Sequence, residues 1–117
     1  LDCLSNIDLN NSTVILFTDD ENYAYLNYNN LYNINIKDII KENIESEYKY
    51  LSNHPELSFF LMLLCDILIC ANSTFSIWAS YFSSSNEIYI PKLWFVPKGP
   101  DNFTTEEFKL DNRYNII

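Results

Sequence analysis

Residues 67–82 carry the sequence ILICANSTFSIWASYF, and this stretch decides the fold. Its first part, Ile67 to Cys70, is a short apolar run of β-favouring residues, which predicts a buried strand. Asn72, Ser73 and Thr74 follow, and all three residue types favour the start of a helix. Residues 75–82 then have helical character. The stretch therefore predicts a strand, a polar turn and a helix in succession.

The flanking segments continue this alternation. Leu57 to Cys65 is dominated by Leu, Met and Phe and predicts a helix, and Pro55 suits a first helical turn. On the other side, the serine-rich stretch 83–86 predicts the end of the second helix. Glu87 to Ile90, before Pro91, predicts another strand.

The N-terminal part predicts a similar order. The apolar run Val14 to Phe17 predicts a strand, and a helix follows from about Glu21 to Asn27. Tyr32, Ile34 and Ile36 alternate with asparagines, which predicts a half-buried or edge strand over residues 32–36. From Lys37 to Leu51 the apolar residues fall at near-helical spacing, which predicts a solvated amphipathic helix.

Strands that alternate with helices predict an α/β fold with a parallel sheet flanked by helices on both faces. At 117 residues the chain fits a single domain over residues 1–117, and it is short for a complete two-substrate enzyme. The tail from about residue 96 has little periodicity and predicts an irregular, partly helical wrap. Because the chain begins at Leu1 without an initiator Met, we expect N-terminal sequence to be missing.

The net negative charge of the chain limits the kinds of molecule that it can bind. Sixteen acidic residues against seven basic ones give a net charge of −9, which disfavours nucleic acid as a partner. An anionic nucleotide sugar meets the same repulsion, unless backbone N–H groups and a few side chains make one pocket locally favourable. The longest apolar run, residues 57–71, is interrupted by Ser58 and Asp66 and is too short and too polar to span a bilayer.

Several kinds of chemistry have no support in the sequence. There is one glycine, and there is no GxSxG, P-loop or Gly-rich fingerprint, which disfavours a glycine-loop Rossmann enzyme. His54 lies beside a proline and predicts a surface turn residue. The cysteines Cys3, Cys65 and Cys70 lack zinc-type spacing and predict buried thiols of a reducing compartment.

The strongest candidate site is the turn after the strand at residues 67–70, because ligands of open α/β sheets collect at the carboxyl ends of strands. This turn presents hydroxyl side chains and unpaired backbone N–H groups at a helix start, where the helix dipole favours phosphate. Several such contacts, each worth about 0.3–1 kcal/mol at an exposed site, could offset the acidic surface. From the residues alone, a plain N-cap is the commoner role. The candidate residues are Asn72, Ser73, Thr74, Phe75 and Ser76.

A second candidate pair, Asp19 and Asp20, follows the strand at residues 14–17. These carboxylates could accept hydrogen bonds from a ribose or a base, ligate a metal or cap a helix, and capping is the commoner role. A metal is disfavoured because there is no DxD spacing with a third ligand and no histidine nearby in sequence. The pair therefore does not predict a metal site. We also expect no bound cofactor.

Residues 57–82 and 87–95 together resemble the C-terminal signature of the α-1,2-fucosyltransferase family. In that family a helix leads to a strand, an Asn-Ser-Ser/Thr-Phe-Ser turn, a Trp-bearing helix and a strand that ends in Pro-Lys-x-Trp-Phe. The corresponding segments here are NSTFS at residues 72–76 and PKLWF at residues 91–95. FTDD at residues 17–20 is similar to the family's Ser/Thr-Asp-Asp motif. The resemblance covers most of residues 14–95, with residues 37–54 unmatched.

The resemblance implies a GT-B-type glycosyltransferase, with this chain as its Rossmann-like C-terminal half. The implied reaction is an inverting transfer of fucose from GDP-fucose to a galactose hydroxyl of a glycan, in α-1,2 linkage and without a required metal. Ser73, Thr74 and Phe75 would meet the donor diphosphate, and Asp19 and Asp20 would lie near the nucleotide or brace the loop.

Two features depart from the family pattern. Ser58 stands where the family has an Asp that we associate with the guanine, which leaves base specificity open. The family's His-x-Arg-Arg-Gly-Asp motif is absent, and Arg113 in the tail is the one arginine. Because a developing diphosphate charge needs such a donor, we assign no catalytic residue. We expect this segment alone to bind the donor weakly or not at all, and we expect no turnover from it. Trp78 and Trp94 are expected in the core.

Two functions therefore stay open, and a third, a plain soluble structural domain, would require the resemblance to be a coincidence. In the first, the chain is the donor-binding half of a transferase, and a missing N-terminal part supplies the arginine, the base and the acceptor groove. Its partners are then a nucleotide sugar and a glycan acceptor. We expect it in the cytoplasm, either free or peripheral to a membrane, or in the Golgi lumen if the parent is eukaryotic. In the second, the chain is a non-catalytic remnant or interaction domain that retains the fold.

Overall fold

The computed structural model describes residues 2–28, 34–35, 55–92 and 105–117. The chain divides into two compact units, Leu1–Ser58 and Phe59–Ile117. The helix predicted over residues 37–51 lies outside the described residues, and so do His54 and Trp94. Of the strand predicted over residues 32–36, the described part is residues 34–35.

The first unit contains a small β-α-β arrangement. Two short 3-10 helices, Asp2–Asn6 and Leu9–Asn11, precede strand β1 (Ile15–Leu16). Helix α1 (Glu21–Tyr28) follows, and strand β2 (Ile34–Asn35) pairs with β1 in parallel. This order confirms the strand, helix and strand that the N-terminal sequence predicts.

Helix α1 buries little apolar surface. Ala24 is buried, whereas Tyr23, Tyr25 and Leu26 are exposed. The rings of Tyr23 and Tyr28 contact each other edge to face, with their centroids 6.3 Å apart. The helix therefore lacks the single apolar stripe of an amphipathic helix, in agreement with the irregular spacing of its apolar residues.

The second unit is built on a parallel sheet. Helix α2 (Pro55–Leu63), which belongs to this unit from Phe59 onward, leads into strand β3 (Ile67–Ile69). Helix α3 (Thr74–Phe82) then connects to strand β4 (Glu87–Ile90), which pairs with β3 in parallel. The helix, strand, helix and strand predicted for this region are confirmed, and their bounds agree with the prediction to within two residues.

The C-terminal tail contains a strand that the sequence analysis does not predict. A 3-10 helix, Glu106–Leu110, agrees with the expected partly helical character. Strand β5 (Tyr114–Ile116) then pairs in parallel with β4, so the sheet order is β3-β4-β5. The N–H of Ile117 donates to the carbonyl of Ile90 at 2.9 Å. A paired edge strand thus replaces the irregular wrap expected there.

The core of the second unit lies on the sheet. Strand β4 is central, and its Ile88, Tyr89 and Ile90 are all buried. Strand β3 alternates, because Leu68 is buried whereas Ile69 is 46% exposed. The fully buried strand predicted by this apolar run is therefore buried on one face only. The core cluster consists of Leu68, Cys70, Ile88, Ile90 and Tyr114, with Met62, Cys65, Ile77, Phe108 and Ile116 packed against it.

Helix α3 packs into this unit through small side chains. Ser76, Ala79 and Ser80 are its buried residues, and they recur at the three- and four-residue spacing of one helix face. The hydroxyl of Ser80 lies 2.9 Å from the hydroxyl of Tyr114 on β5, and it donates to the carbonyl of Ile77 at 2.8 Å. Small side chains allow the helix backbone to approach its neighbours closely.

The large side chains of α3 point elsewhere. Trp78, Tyr81 and Phe82 are 57%, 60% and 62% exposed, and we call these three residues the aromatic face. The rings of Trp78 and Phe82 stack, with their centroids 5.9 Å apart. The expectation that Trp78 belongs to the core is therefore wrong, because the small residues occupy the buried side of the helix.

Candidate functional site

The turn between β3 and α3 leaves the sheet at the carboxyl end of β3, as predicted. The N–H of Cys70 still donates to the carbonyl of Tyr89 on β4, at 2.9 Å. The chain then turns sharply, and the N–H of Ser73 donates to the carbonyl of Ala71 at 2.8 Å. The bond from the N–H of Ile77 to the carbonyl of Ser73, at 3.1 Å, begins the helix.

Ser76 braces this turn from inside. Its side chain is buried, and its Oγ lies 3.0 Å from the carbonyl oxygen of Ala71 and 2.9 Å from that of Ser73. The thiol of Cys70 donates to the carbonyl of Ser76 at 3.7 Å. The hydroxyl of Ser76 is thus committed to the backbone of the turn, and the turn is fixed by its own side chains.

Ser73 occupies the N-cap position of α3 without performing the usual capping. Its backbone is extended, with φ −140° and ψ 129°, but its side chain makes no capping hydrogen bond. The first N–H groups of a helix have no acceptor within the helix, so they are available to a ligand. The plain N-cap role that the residue types favour is therefore not what the hydroxyl of Ser73 does.

The remaining residues of the turn surround this helix start. Asn72 and Thr74 are exposed, and Phe75 is 38% exposed. The ring of Phe75 contacts the ring of Phe59 on α2 edge to face, with their centroids 5.6 Å apart. The turn therefore combines polar side chains, helix N–H groups and one aromatic wall, an arrangement that suits an anionic group attached to a larger ligand.

Asp19 and Asp20 belong to the first unit, whereas the turn belongs to the second. The carboxylate of Asp20 accepts a hydrogen bond from the N–H of Tyr23 at 2.9 Å, and the carbonyl of Asp20 accepts one from the N–H of Ala24 at 3.0 Å. Asp20 is therefore the N-cap of α1, the commoner of the roles considered for it. Asp19 is exposed beside it.

Arg113, the one arginine of the chain, is held in a structural contact. Its Nη2 lies 2.7 Å from Oδ2 of Asp111, its Nε lies 3.1 Å from Oδ1, and its Nη1 donates to the carbonyl of Ser83 at 2.8 Å. The guanidinium group lowers the pKa of the Asp111 carboxyl through these hydrogen bonds. Arg113 directly precedes β5, so it lies at the amino ends of the parallel strands, opposite the edge that carries the turn.

Lys92 lies at the same end of the sheet as the turn, a position that the sequence pattern alone does not indicate. It follows the carboxyl end of β4, next to β3, and its side chain is 63% exposed. Its Nζ lies 3.7 Å from a carboxylate oxygen of Glu106. The available signal was its place directly after a predicted strand within the PKLWF segment.

No metal centre and no membrane-spanning helix is found among residues 2–28, 34–35, 55–92 and 105–117. No three His, Cys, Asp or Glu residues in these ranges form a group that could hold a metal ion. The expectation of a metal-free site stays a prediction. None of the described helices is both long enough and apolar enough to cross a membrane.

The fold and the turn define a class: a parallel α/β protein with a turn suited to phosphate at the carboxyl end of a strand. A family model described as Glycosyl transferase family 11 matches residues 33–112. Since the match covers more than half of the chain, the chain belongs to this glycosyltransferase family, that of the α-1,2-fucosyltransferases, which confirms the resemblance. No curated protein and no solved structure matches the chain. The matched range includes the turn, whereas Asp19 and Asp20 precede it.

Proposed function

We propose that the chain is the donor-binding part of a glycosyltransferase that transfers fucose from GDP-fucose to a galactose hydroxyl of a glycan in α-1,2 linkage. The observation that carries the proposal is the family match over residues 33–112, which includes the turn at residues 72–76. Family membership implies a nucleotide sugar as donor and a glycan as acceptor. The turn is the described feature best suited to the diphosphate of such a donor.

In this proposal each residue of the turn has a distinct task. The hydroxyls of Ser73 and Thr74 and the first N–H groups of α3 donate hydrogen bonds to the diphosphate oxygens. Ser76 holds the turn in shape through the carbonyls of Ala71 and Ser73. Phe75 provides an apolar wall beside the bound group. Asn72 lies at the rim of the site.

The fold we propose for the whole enzyme is GT-B-like, with this chain in its Rossmann-like donor half and Asp19 and Asp20 near the nucleotide. An oxygen of the acceptor galactose would bond to C1 of fucose while the C1–O bond to the diphosphate breaks. GDP would leave with the electron pair, and the acceptor proton would pass to a base. We assign this base and the charge-stabilising arginine to residues outside these 117, since Arg113 is bound to Asp111. The enzyme would work in the cytoplasm, free or peripheral to a membrane, or in the Golgi lumen if the parent is eukaryotic.

One observation favours a second candidate, a non-catalytic remnant or interaction domain that retains the fold. Arg113 lies at the sheet edge opposite the turn, so no arginine of this chain stands ready for the leaving group. A remnant of this kind would keep the turn and its hydrogen bonds but would transfer no fucose, even with the rest of the enzyme present.

The direct test is a calorimetric titration of the purified chain with GDP, GDP-fucose and, as a control, UDP. We expect weak but saturable binding of both guanine nucleotides. The double variant Ser73→Ala/Thr74→Ala should weaken GDP binding by about tenfold or more, because each lost hydrogen bond to a charged group is worth about 1.5–3 kcal/mol. Ser84→Ala, at an exposed serine outside the turn, is the matched control and should bind GDP as the wild type does.

The outcomes separate the two candidates. If none of the three nucleotides binds to the folded full-length parent protein, this chain does not hold the donor and the first proposal fails. If GDP binds at the turn, fucose transfer to a galactoside is assayed with the full-length parent protein. Binding together with transfer supports the transferase, and binding without transfer supports the remnant.

A further inference from the structure

We propose that Lys92 is a second anchor of the donor diphosphate, a cation that reaches the turn from the neighbouring strand. This inference rests on the proposed function, because the anion that Lys92 would meet is the diphosphate of the nucleotide sugar. It adds a residue from β4 to a site that the sequence had limited to the turn after β3 and to Asp19 and Asp20.

The strand register places Lys92 at the same end of the sheet as the turn, beyond the neighbouring strand. The last pair of the parallel ladder is Ile69 with Tyr89. Asn72 follows Ile69 at the same spacing in sequence as Lys92 follows Tyr89. Neighbouring strands are about 4.8 Å apart, and both chains leave the sheet at the same edge. A flexible lysine side chain at this position can therefore extend over the start of α3.

The backbone of Lys92 is fixed, whereas its amine is accessible. Its N–H donates to the carbonyl of Ile117 at 2.7 Å, and the buried hydroxyl of Thr105 lies 2.8 Å from the carbonyl oxygen of Pro91 and 3.3 Å from that of Lys92. The side chain itself is 63% exposed. Because its backbone is fixed and its charged amine is exposed, Lys92 is suited to bind an anion from solvent.

The ion pair that now engages Lys92 is replaceable. Nζ of Lys92 lies 3.7 Å from Glu106, while Lys109 contacts the same carboxylate more closely. The pKa of Glu106 is lowered chiefly by its hydrogen bond to Lys109, with smaller contributions from Lys92. Lys109 would therefore still neutralise Glu106 after Lys92 had turned towards a diphosphate.

Charge balance favours this residue over the other described cations. In residues 2–28, 34–35, 55–92 and 105–117 the basic side chains are those of Lys92, Lys109 and Arg113. Arg113 is bound to Asp111 at the opposite edge of the sheet, and Lys109 is bound to Glu106. A local cation would favour an anion at a site in a chain of net charge −9, and of these three residues Lys92 lies at the carboxyl ends of the strands, as the turn does.

The test compares Lys92→Gln with Lys109→Gln, a matched control that also removes one exposed partner of Glu106. Each variant is titrated with GDP and with guanosine, which lacks the diphosphate. We expect Lys92→Gln to weaken GDP binding about tenfold and to leave guanosine binding unchanged. Lys109→Gln should alter GDP binding less than twofold, and Lys92→Arg, which keeps the charge, should restore most of it.

A second readout uses the wild-type sequence, with its lysines ¹³C-dimethylated and observed by NMR. The Lys92 signal should shift on addition of GDP, whereas the Lys109 signal should not. If Ser73→Ala/Thr74→Ala weakens GDP binding but Lys92→Gln does not, the inference is overturned and the proposed function stands. If the wild-type full-length parent protein binds no GDP, both are overturned.

Discussion

The roles of single residues in this chain are determined by contacts that the residue types alone do not reveal. Ser73 and Ser76 are both small hydroxyl residues of one turn, yet Ser76 is buried and bonded to two carbonyls, whereas Ser73 makes no capping bond. Asp19 and Asp20 differ in the same way, because Asp20 caps α1. Residue type is enough to identify the candidate positions, but the role of each side chain depends on the groups that it contacts in the folded chain.

The pair Asp19 and Asp20 allows a clean test of the capping role. Asp20→Ala removes the acceptor of the Tyr23 N–H, so we expect it to lower the free energy of unfolding of the chain by about 1 kcal/mol. Asp19→Ala, at an exposed neighbour, should change it by less than about 0.5 kcal/mol. Urea unfolding monitored by far-UV circular dichroism gives both values. Equal effects of the two substitutions would contradict the assigned cap.

Cys70 makes the stability of the fold depend on pH in the alkaline range. Burial raises the pKa of its thiol from 9.0 to about 11. Between these values the unfolded chain has lost a proton that the folded chain still binds, so the free energy of unfolding falls as pH rises from 9 to 11. The thiol contributes a decrease of about 2–3 kcal/mol across this window.

Urea unfolding of wild type and Cys70→Ala in reducing buffer, at several pH values from 7 to 11, isolates this contribution. The alanine variant has no thiol at this position, so the stability difference between the two chains should narrow above pH 9. A difference that stays constant over the whole range would show that Cys70 does not titrate as its burial implies. Titration of other groups is common to both chains and cancels.

At the scale of elements, helix α3 reverses the usual distribution of side chains. Its small residues face the core, and its aromatic face is exposed. The sequence predicts the helix and its bounds well, because capping residues and local spacing are contained within the segment. The orientation could not be predicted in the same way. Which side of a helix is buried depends on the neighbouring elements, and here the side that carries Ala79 and Ser80 is buried whereas Trp78 is exposed.

The contact between α3 and β5 gives a testable measure of this packing. Tyr114→Phe removes the hydroxyl that lies 2.9 Å from Oγ of Ser80, so we expect it to cost about 1 kcal/mol of stability. Tyr81→Phe makes the same chemical change at a 60% exposed position of α3 and should cost almost nothing. Urea unfolding measures both. A double-mutant cycle with Ser80→Ala should return a coupling of about the same size as the Tyr114→Phe loss.

At the scale of the whole chain, local sequence patterns predicted the α/β class, the parallel strands β3 and β4, and the turn that carries the candidate site. Strand β5 escaped prediction because it is only three residues long and forms by pairing with β4, which lies far away in sequence. Lys92 was missed for a related reason. Its nearness to the turn follows from the register of two strands, and register is a property of the sheet that no single segment contains.

The late position of β5 also bears on how the protein is made. Strand β4 emerges from the ribosome before its partner. The last hydrogen bonds between the two segments join Ile117 to Ile90 and to Lys92, so they form only after Ile117 has been made. A nascent chain that ends before Arg113 lacks β5, so the edge of β4 that pairs with β5 would be exposed beside Ile88 and Ile90. Chaperones, or neighbouring nascent chains, would meet that edge until synthesis has passed Ile117.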